Sequence, residues 1–382
     1  MLGYDVARQM LKHMLDASFS LGSALGSGEN ELLLAARFAD AQVLRLILSR
    51  SAPADVAATD CDGNTALHLA VGRKADDGEV AAVVTLLLSH IDGSAVNARG
   101  DSVLHIAAAF ASADTLKLIL SRIGNGAALP RCHNAEKRTP LHAVAADAVR
   151  LSGAAAALAK MQALLVASSP LAIACDTRGA TPLHLAAAHG SADMVAALLD
   201  AGDNSLCSQA DHDGNTALHY AALHATAALG EVAVQIVAVL VQRCPPASLG
   251  AANNCGETAL HVASACACSE IVRALLNAGV SLLARSVAGL NALHYAAARS
   301  STFGVLDELL RACEDEQSNG RDALYTPTTG PISALCGATS HVYMYHGALP
   351  LHGAVAHGAA GRRRVAVECS HACMRSVFTE LC

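Results

Sequence analysis

Histidine and cysteine are the residues of this chain whose chemistry could do most, and the histidines follow a pattern. Of the 18 histidines, eight close the same short phrase. The copies are Thr65-Ala-Leu-His68, Ser102-Val-Leu-His105, Thr139-Pro-Leu-His142, Thr181-Pro-Leu-His184, Thr216-Ala-Leu-His219, Thr258-Ala-Leu-His261, Asn291-Ala-Leu-His294 and Leu349-Pro-Leu-His352, the last without the leading hydroxyl or amide residue. An imidazole can ligate a metal or move a proton near neutral pH, but either task needs several groups to meet at one point. Successive copies lie 37, 37, 42, 35, 42, 33 and 58 residues apart, each at the same place in its own unit. About one unit separates each histidine from the next, so they cannot converge. The pattern gives them a structural role.

The 13 cysteines divide differently. Cys61, Cys132, Cys175, Cys207, Cys244 and Cys255 are scattered singly, without the paired spacing of a zinc site, and read as small buried hydrophobes or loop residues. The chain opens MLGYDVARQMLKHMLD, with charges where a signal peptide needs its apolar stretch. The expected compartment is therefore reducing: cytoplasmic, possibly nuclear. Cys266 and Cys268 form a pair with no second pair to complete a site. Cys369, His371 and Cys373, with His357 and Cys382 nearby, could set two thiolates on one helical face for zinc; the preferred reading is a buried capping helix carrying small sulfur side chains. No GxxxxGK, GxGxxG, GxSxG or HExxH motif occurs. Neither catalysis, metal nor cofactor is expected.

The elements that must carry the histidines can be read from the flanking residues. Thr, Ser or Asn at the head of the phrase is a good helix N-cap, and the Pro of two copies suits the first helical position. Behind the histidine come short alanine-lined stretches such as Leu185-Ala-Ala-Ala188. A second helix follows with apolar residues one turn apart, as in Met194, Val195, Leu198 and Leu199 or Ile271, Val272, Leu275 and Leu276. Ahead of the phrase stand turn signals such as Asp62-Gly63, Arg178-Gly179, Asp213-Gly214 and Cys255-Gly256, where Gly supplies a positive φ. The unit is turn, helix, helix. With 53% apolar residues, only 3% aromatic and no Trp, the core must be built of Ala, Leu and Val in closely spaced helices.

Turn, Thr-Pro-Leu-His phrase, Leu-Ala-Ala helix and Val-x-x-Leu-Leu helix, in that order and in seven clear copies between residues 59 and 312, resemble the ankyrin repeat. The resemblance implies an all-α solenoid of stacked helix-turn-helix units joined by β-hairpin-like loops. It also implies that the repeated histidines (His68, His105, His142, His184, His219, His261, His294, His352) bridge the Thr hydroxyl and the backbone of a neighbouring unit. Asn30-Glu-Leu-Leu33, followed by Val43, Leu44, Ile47 and Leu48, fits an N-terminal cap. The expected organisation is a leader over 1–28, partly helical or flexible, the array over 29–312, an irregular insertion or linker over 313–348, and a degenerate capping repeat over 349–382. Extra residues at 74–78, 147–153 and 225–230 are expected between the two helices of their repeats.

The resemblance further implies a scaffold that binds a partner protein on a concave face. The alternative is the recognition arm of a larger enzyme or ubiquitin-ligase complex, recruited through the C-terminal segment. A formal charge of −7 with 15% charged residues offers no broad field for nucleic acid, and Arg362, Arg363 and Arg364 read as a solvated face. The apolar run 232–241 is too short to span a membrane. No small-molecule substrate is expected. In such arrays partner contacts fall beside the hairpin Gly and at the fifth residue after the motif histidine. Here these are Asp62, Asn64, Arg73, Arg99, Asp101, Phe110, Glu136, Asp147, Arg178, His189, His212, Asp213, His224, Glu257 and Arg299. The strip is polar and mixed in sign, and Phe110 is its one aromatic residue.

Overall fold

The computed structural model describes residues 30–51, 53–73, 76–123, 132–148, 153–202, 204–224, 230–266, 268–297 and 303–314. Among them every regular element is helical, apart from isolated antiparallel bridges that close hairpins at Thr59 and Thr65, Val96 and Ser102, Ala210 and Thr216, and Ala252 and Thr258. The chain divides into two compact units at residues 203 and 204.

The first unit begins with α1 (Glu31–Phe38) and α2 (Ala41–Leu48), capped by the side chains of Asn30 and Asp40, which accept from the backbone N–H of Leu33 and Val43. Val43, Leu44, Ile47 and Leu48 are buried on the face of α2 that packs inward. Four repeats follow as pairs of helices: α3 (Ala66–Gly72) with α4 (Asp77–Leu88), α5 (Val103–Phe110) with α6 (Ala113–Ile123), α7 (Pro140–Ala143) with α8 (Ala154–Ala167), and α9 (Pro182–His189) with α10 (Ala192–Ala201). First helices pack on first helices, α1 on α3, α3 on α5 and α5 on α7, and second helices on second helices from α2 through α10. The short first helices can approach because their contacts are small: Ala70, Ala107, Ala108, Ala186 and Ala187 are buried between the layers. Each stack step also buries a motif leucine (Leu67, Leu104, Leu141, Leu183), at about 1.5–3 kcal/mol apiece.

The second unit repeats the plan with α11 (Ala217–Leu223) and α12 (Gly230–Arg243), α13 (Ala259–Cys266) and α14 (Ser269–Asn277), α15 (Ala292–Ala297) and α16 (Phe303–Glu314). Here α11 packs on α13 and α13 on α15, while α12 packs on α14 and α14 on α16.

The extra residues do fall between the paired helices, but they are not all loop. The second helices behind them run 12 residues in α4 and 14 in α8 and α12, against 10 in α10 and 9 in α14. Good helix formers at 154–160 make the first turns of α8 helical. In the third full repeat the first helix also runs on, from Val144 to Ala148, as a π turn.

Candidate functional site

Among the described residues the motif histidines share one repeated set of hydrogen bonds. Nδ1 of His68, His105, His142, His184, His219, His261 and His294 lies 3.0–3.3 Å from the backbone N–H of its own N-cap residue, which donates to it. An Nδ1 that accepts must be unprotonated, so each neutral ring carries its proton on Nε2. That Nε2 donates to the carbonyl just before the next N-cap: His68 to Asp101 at 3.1 Å, His105 to Arg138 at 2.8 Å, His142 to Ala180 at 3.1 Å, His219 to Glu257 at 2.9 Å and His261 to Leu290 at 3.1 Å. The expected bridge between neighbouring units is thus in place. Burial pushes His142 and His261 down to about 4, and lowers His68, His105 and His219 as well. These imidazoles are held neutral and give no proton near neutral pH. His352 lies outside the described residues, as do Cys369, His371 and Cys373.

The hairpins are tied by a second ladder, invisible to a reading of the glycines. The residue five before each N-cap starts the turn: Asp60, Asn97, Asn134, Asp176, Asp211 and Asn253 each accept, through Oδ1, from the backbone N–H two and four residues on. Successive turns are cross-linked by backbone bonds such as Ala98 N–H to the Asp62 carbonyl (2.9 Å) and Ala135 N–H to that of Arg99 (3.0 Å). The stacking is tight enough that a Cβ on Gly63 would lie 2.7 Å from the Ala98 nitrogen. One turn breaks the glycine rule: Lys137 takes a φ of 57°, a left-handed conformation that costs an L-residue roughly 1–2 kcal/mol.

Where the hairpins meet the first helices of the first unit there is an open groove of about 730 Å³. Its walls are Arg99, Asp101, Ile106, Ala109 and Phe110 from one repeat and Glu136, Arg138, Ala143 and Ala146 from the next. Four of the expected contact residues, Arg99, Asp101, Phe110 and Glu136, therefore line a single concavity. Phe110 leaves 57% of its surface exposed, and the π turn behind α7 contributes Ala146 to the opposite wall.

The remaining expected contacts spread out. Asp62, Arg178, His189, His212 and Asp213 are exposed, and Asn64 and His224 are half-buried. Asn64 and Asp101 also hold the turns together, accepting from the Asn97 and Asn134 amides at 3.0 and 2.8 Å. Of the three surface histidines, His189 belongs to the first unit and His212 and His224 to the second. The side chain of Asp147 and all of Arg299 lie outside the described residues.

Two positions depart from expectation. Arg73 is buried: its guanidinium donates to the Ala39 carbonyl at 2.7 Å, closing the C-terminus of α1, and meets Glu79 at 3.5 Å. Glu257 is buried too, accepting from the Tyr295 hydroxyl at 2.6 Å and the Asn253 amide at 3.1 Å. Neither offers a surface to a partner. The two long side chains found internal partners that periodic register cannot show. The chemistry of Tyr220 and Tyr295, one residue beyond the motif histidine, was legible in principle: a Tyr there faces the carboxylates of the turns.

The cysteines bring a further correction. Cys207 and Cys244 are joined by a disulfide, with Cα atoms 5.5 Å apart. They stand in the connections that lead into two successive hairpins, so stacking brings together two thiols that lie 37 residues apart. Cys61, Cys132 and Cys175 are free, and Cys268 is a buried thiol. Among the described residues no group of three or more His, Cys, Asp or Glu could hold a metal ion. None of the described helices is long and apolar enough to cross a membrane.

Comparison with family models agrees with this geometry. Models for ankyrin repeats match residues 32–129, 147–229 and 240–296. Among solved structures the chain is similar to the ankyrin repeat domain of Bcl-3, a unique member of the IkappaB protein family. The identity is 23% and the TM-score 0.48, over 65% of this chain and 99% of that one.

Proposed function

The chain belongs to the ankyrin-repeat family, and from that premise we propose that it is a protein–protein interaction scaffold whose concave face, in the first unit, holds the partner. Ankyrin repeats are a general protein-interaction module. The observation that carries the finer reading is the groove around Phe110, the exposed aromatic of the expected contact strip, set on first helices whose own hydrogen bonds are satisfied internally. Such a surface is pre-formed, so docking need not order it first. The buried neutral histidines support the stack and take no part in chemistry, and nothing in the groove resembles a nucleophile–base pair.

The test is capture of partners from a native lysate. A Phe110→Ala, Arg178→Ala double variant should lose the proteins that the wild-type chain retains, with an unchanged helical signal and unfolding midpoint. An Arg285→Ala variant, altered at an exposed position of the second unit outside the contact strip, should retain them. Full capture by the double variant would remove the concave face of the first unit from the reading.

A further inference from the structure

The charges around the groove are unequal in their commitments. Asp101 accepts from the Asn134 amide at 2.8 Å, and Glu136 pairs with Arg138 at 3.2 Å. Arg138 is shared with the buried Asp176 at 3.7 Å. Arg99 is exposed and has no ion-pair or side-chain hydrogen-bond partner among the described residues. The hairpin tips beside it add two more exposed cations: Lys137, at the left-handed turn position, and Arg178, whose side chain is 62% exposed and only 4.0 Å from a carboxylate already shared. A chain of net charge −7 thus presents, along three successive turns of its first unit, exposed charge of the opposite sign. Arg99, at one end of this row, shares the groove with the apolar side chains of Phe110, Ile106, Ala109, Ala143 and Ala146.

Resting on the reading above, we propose that the groove recognises a partner segment in which acidic residues flank an apolar one. One carboxylate meets the Arg99 guanidinium, the apolar side chain lies against Phe110, and further acidic residues follow toward Lys137 and Arg178. The engaged carboxylates Asp101 and Glu136 disfavour a basic segment, which would have to displace internal bonds to gain a partner. A nucleic acid is the weaker match, because one aromatic ring offers no stacking platform for successive bases.

The experiment is selection of short random peptides, displayed on phage, on the full-length chain. Anisotropy titrations of the enriched peptides then compare the wild type with Arg99→Glu, Arg99→Lys and Phe110→Ala. Enrichment of acidic residues next to a Leu, Ile, Val or Phe is expected. Arg99→Glu should weaken those peptides by about tenfold or more, Arg99→Lys by much less, and added salt should weaken the wild-type complex. Since Arg99 is exposed, the unfolding midpoint of each variant should match the wild type. Enrichment of basic peptides, enrichment blind to charge, or binding unaffected by Arg99→Glu would overturn the proposal. So would tight binding of oligodeoxythymidine that depends on Arg99, which would make the cationic row a phosphate reader. The lysate capture with the Phe110 variant decides the broader scaffold reading on its own, whatever the selection returns.

Discussion

The same position, one residue beyond the motif histidine, has opposite consequences in the two units. In the first it carries Ile106 and Ala143, which cannot reach the turns, and a groove stays open above them. In the second it carries Tyr220 and Tyr295, whose hydroxyls close on Asp211 at 2.8 Å and Glu257 at 2.6 Å. Burial and the Glu257 carboxylate hold the Tyr295 phenol protonated far above its usual range. The framework of capped helices and bridging histidines is common to both units; in two repeats of the second a tyrosine hydroxyl ties down a turn carboxylate that Ile106 and Ala143 leave alone in the first. Repeats can therefore hold their fold constant while their surfaces change use.

The largest expected effect tests the part that the units share. Folded His142 and His261 sit near 4, against 6.5 for a free imidazole. Between those values the unfolded chain binds protons that the folded chain refuses, so stability falls as pH drops from about 6.5 to about 4. Each of these two histidines contributes about 3 kcal/mol to that loss, and His68, His105 and His219 act in the same direction. Denaturant titrations at stepped pH, followed by hydrogen exchange, should show both units weakening; acid loss confined to one would break the common framework.

Next in size, His219→Ala should destabilise by about 1–3 kcal/mol, because the Glu257 carbonyl and the Thr216 N–H lose their partner together. Partner capture should survive wherever the fold does. Unchanged stability with abolished capture would make this histidine functional. Tyr295→Phe should cost about 1–2 kcal/mol by removing one donor from the buried Glu257, and capture through the first unit should be unaffected. If it is lost, the contrast between open and closed faces does not govern binding.

The smallest expected effect is a gain. Lys137→Gly relieves the left-handed turn and should stabilise by about 0.5–1 kcal/mol, less than the strain itself because glycine also loosens the unfolded chain. A loss on thermal denaturation would mean that the Lys137 side chain contributes packing beyond its backbone cost.

Much of this was legible beforehand, and for a physical reason: a repeat must satisfy the same constraints each time. Thr at the cap, His three residues on and Gly in the turn recur because every unit needs the same bridge to the next. The groove was partly legible, since Arg99, Asp101, Phe110 and Glu136 fall at contact positions by register alone. What register cannot show is the reach of a long side chain: Arg73 turned inward to close α1, Glu257 met a tyrosine from the following repeat, and Lys160 was buried in α8 with its ammonium on the Ala108 carbonyl at 3.3 Å. Nor does spacing along the chain reveal that Cys207 and Cys244 become neighbours, because their separation carries an insertion that obscures their equivalence.

That disulfide makes a closed ring of the first repeat of the second unit: its hairpin, α11 and α12 all lie on the chain between the two sulfurs. A protease that cuts inside the ring opens the loop but releases neither end. The nicked protein should migrate as one band on a non-reducing gel and as two after treatment with a thiol reductant, so a single cleavage there leaves the two flanking stretches tethered until the bond is reduced.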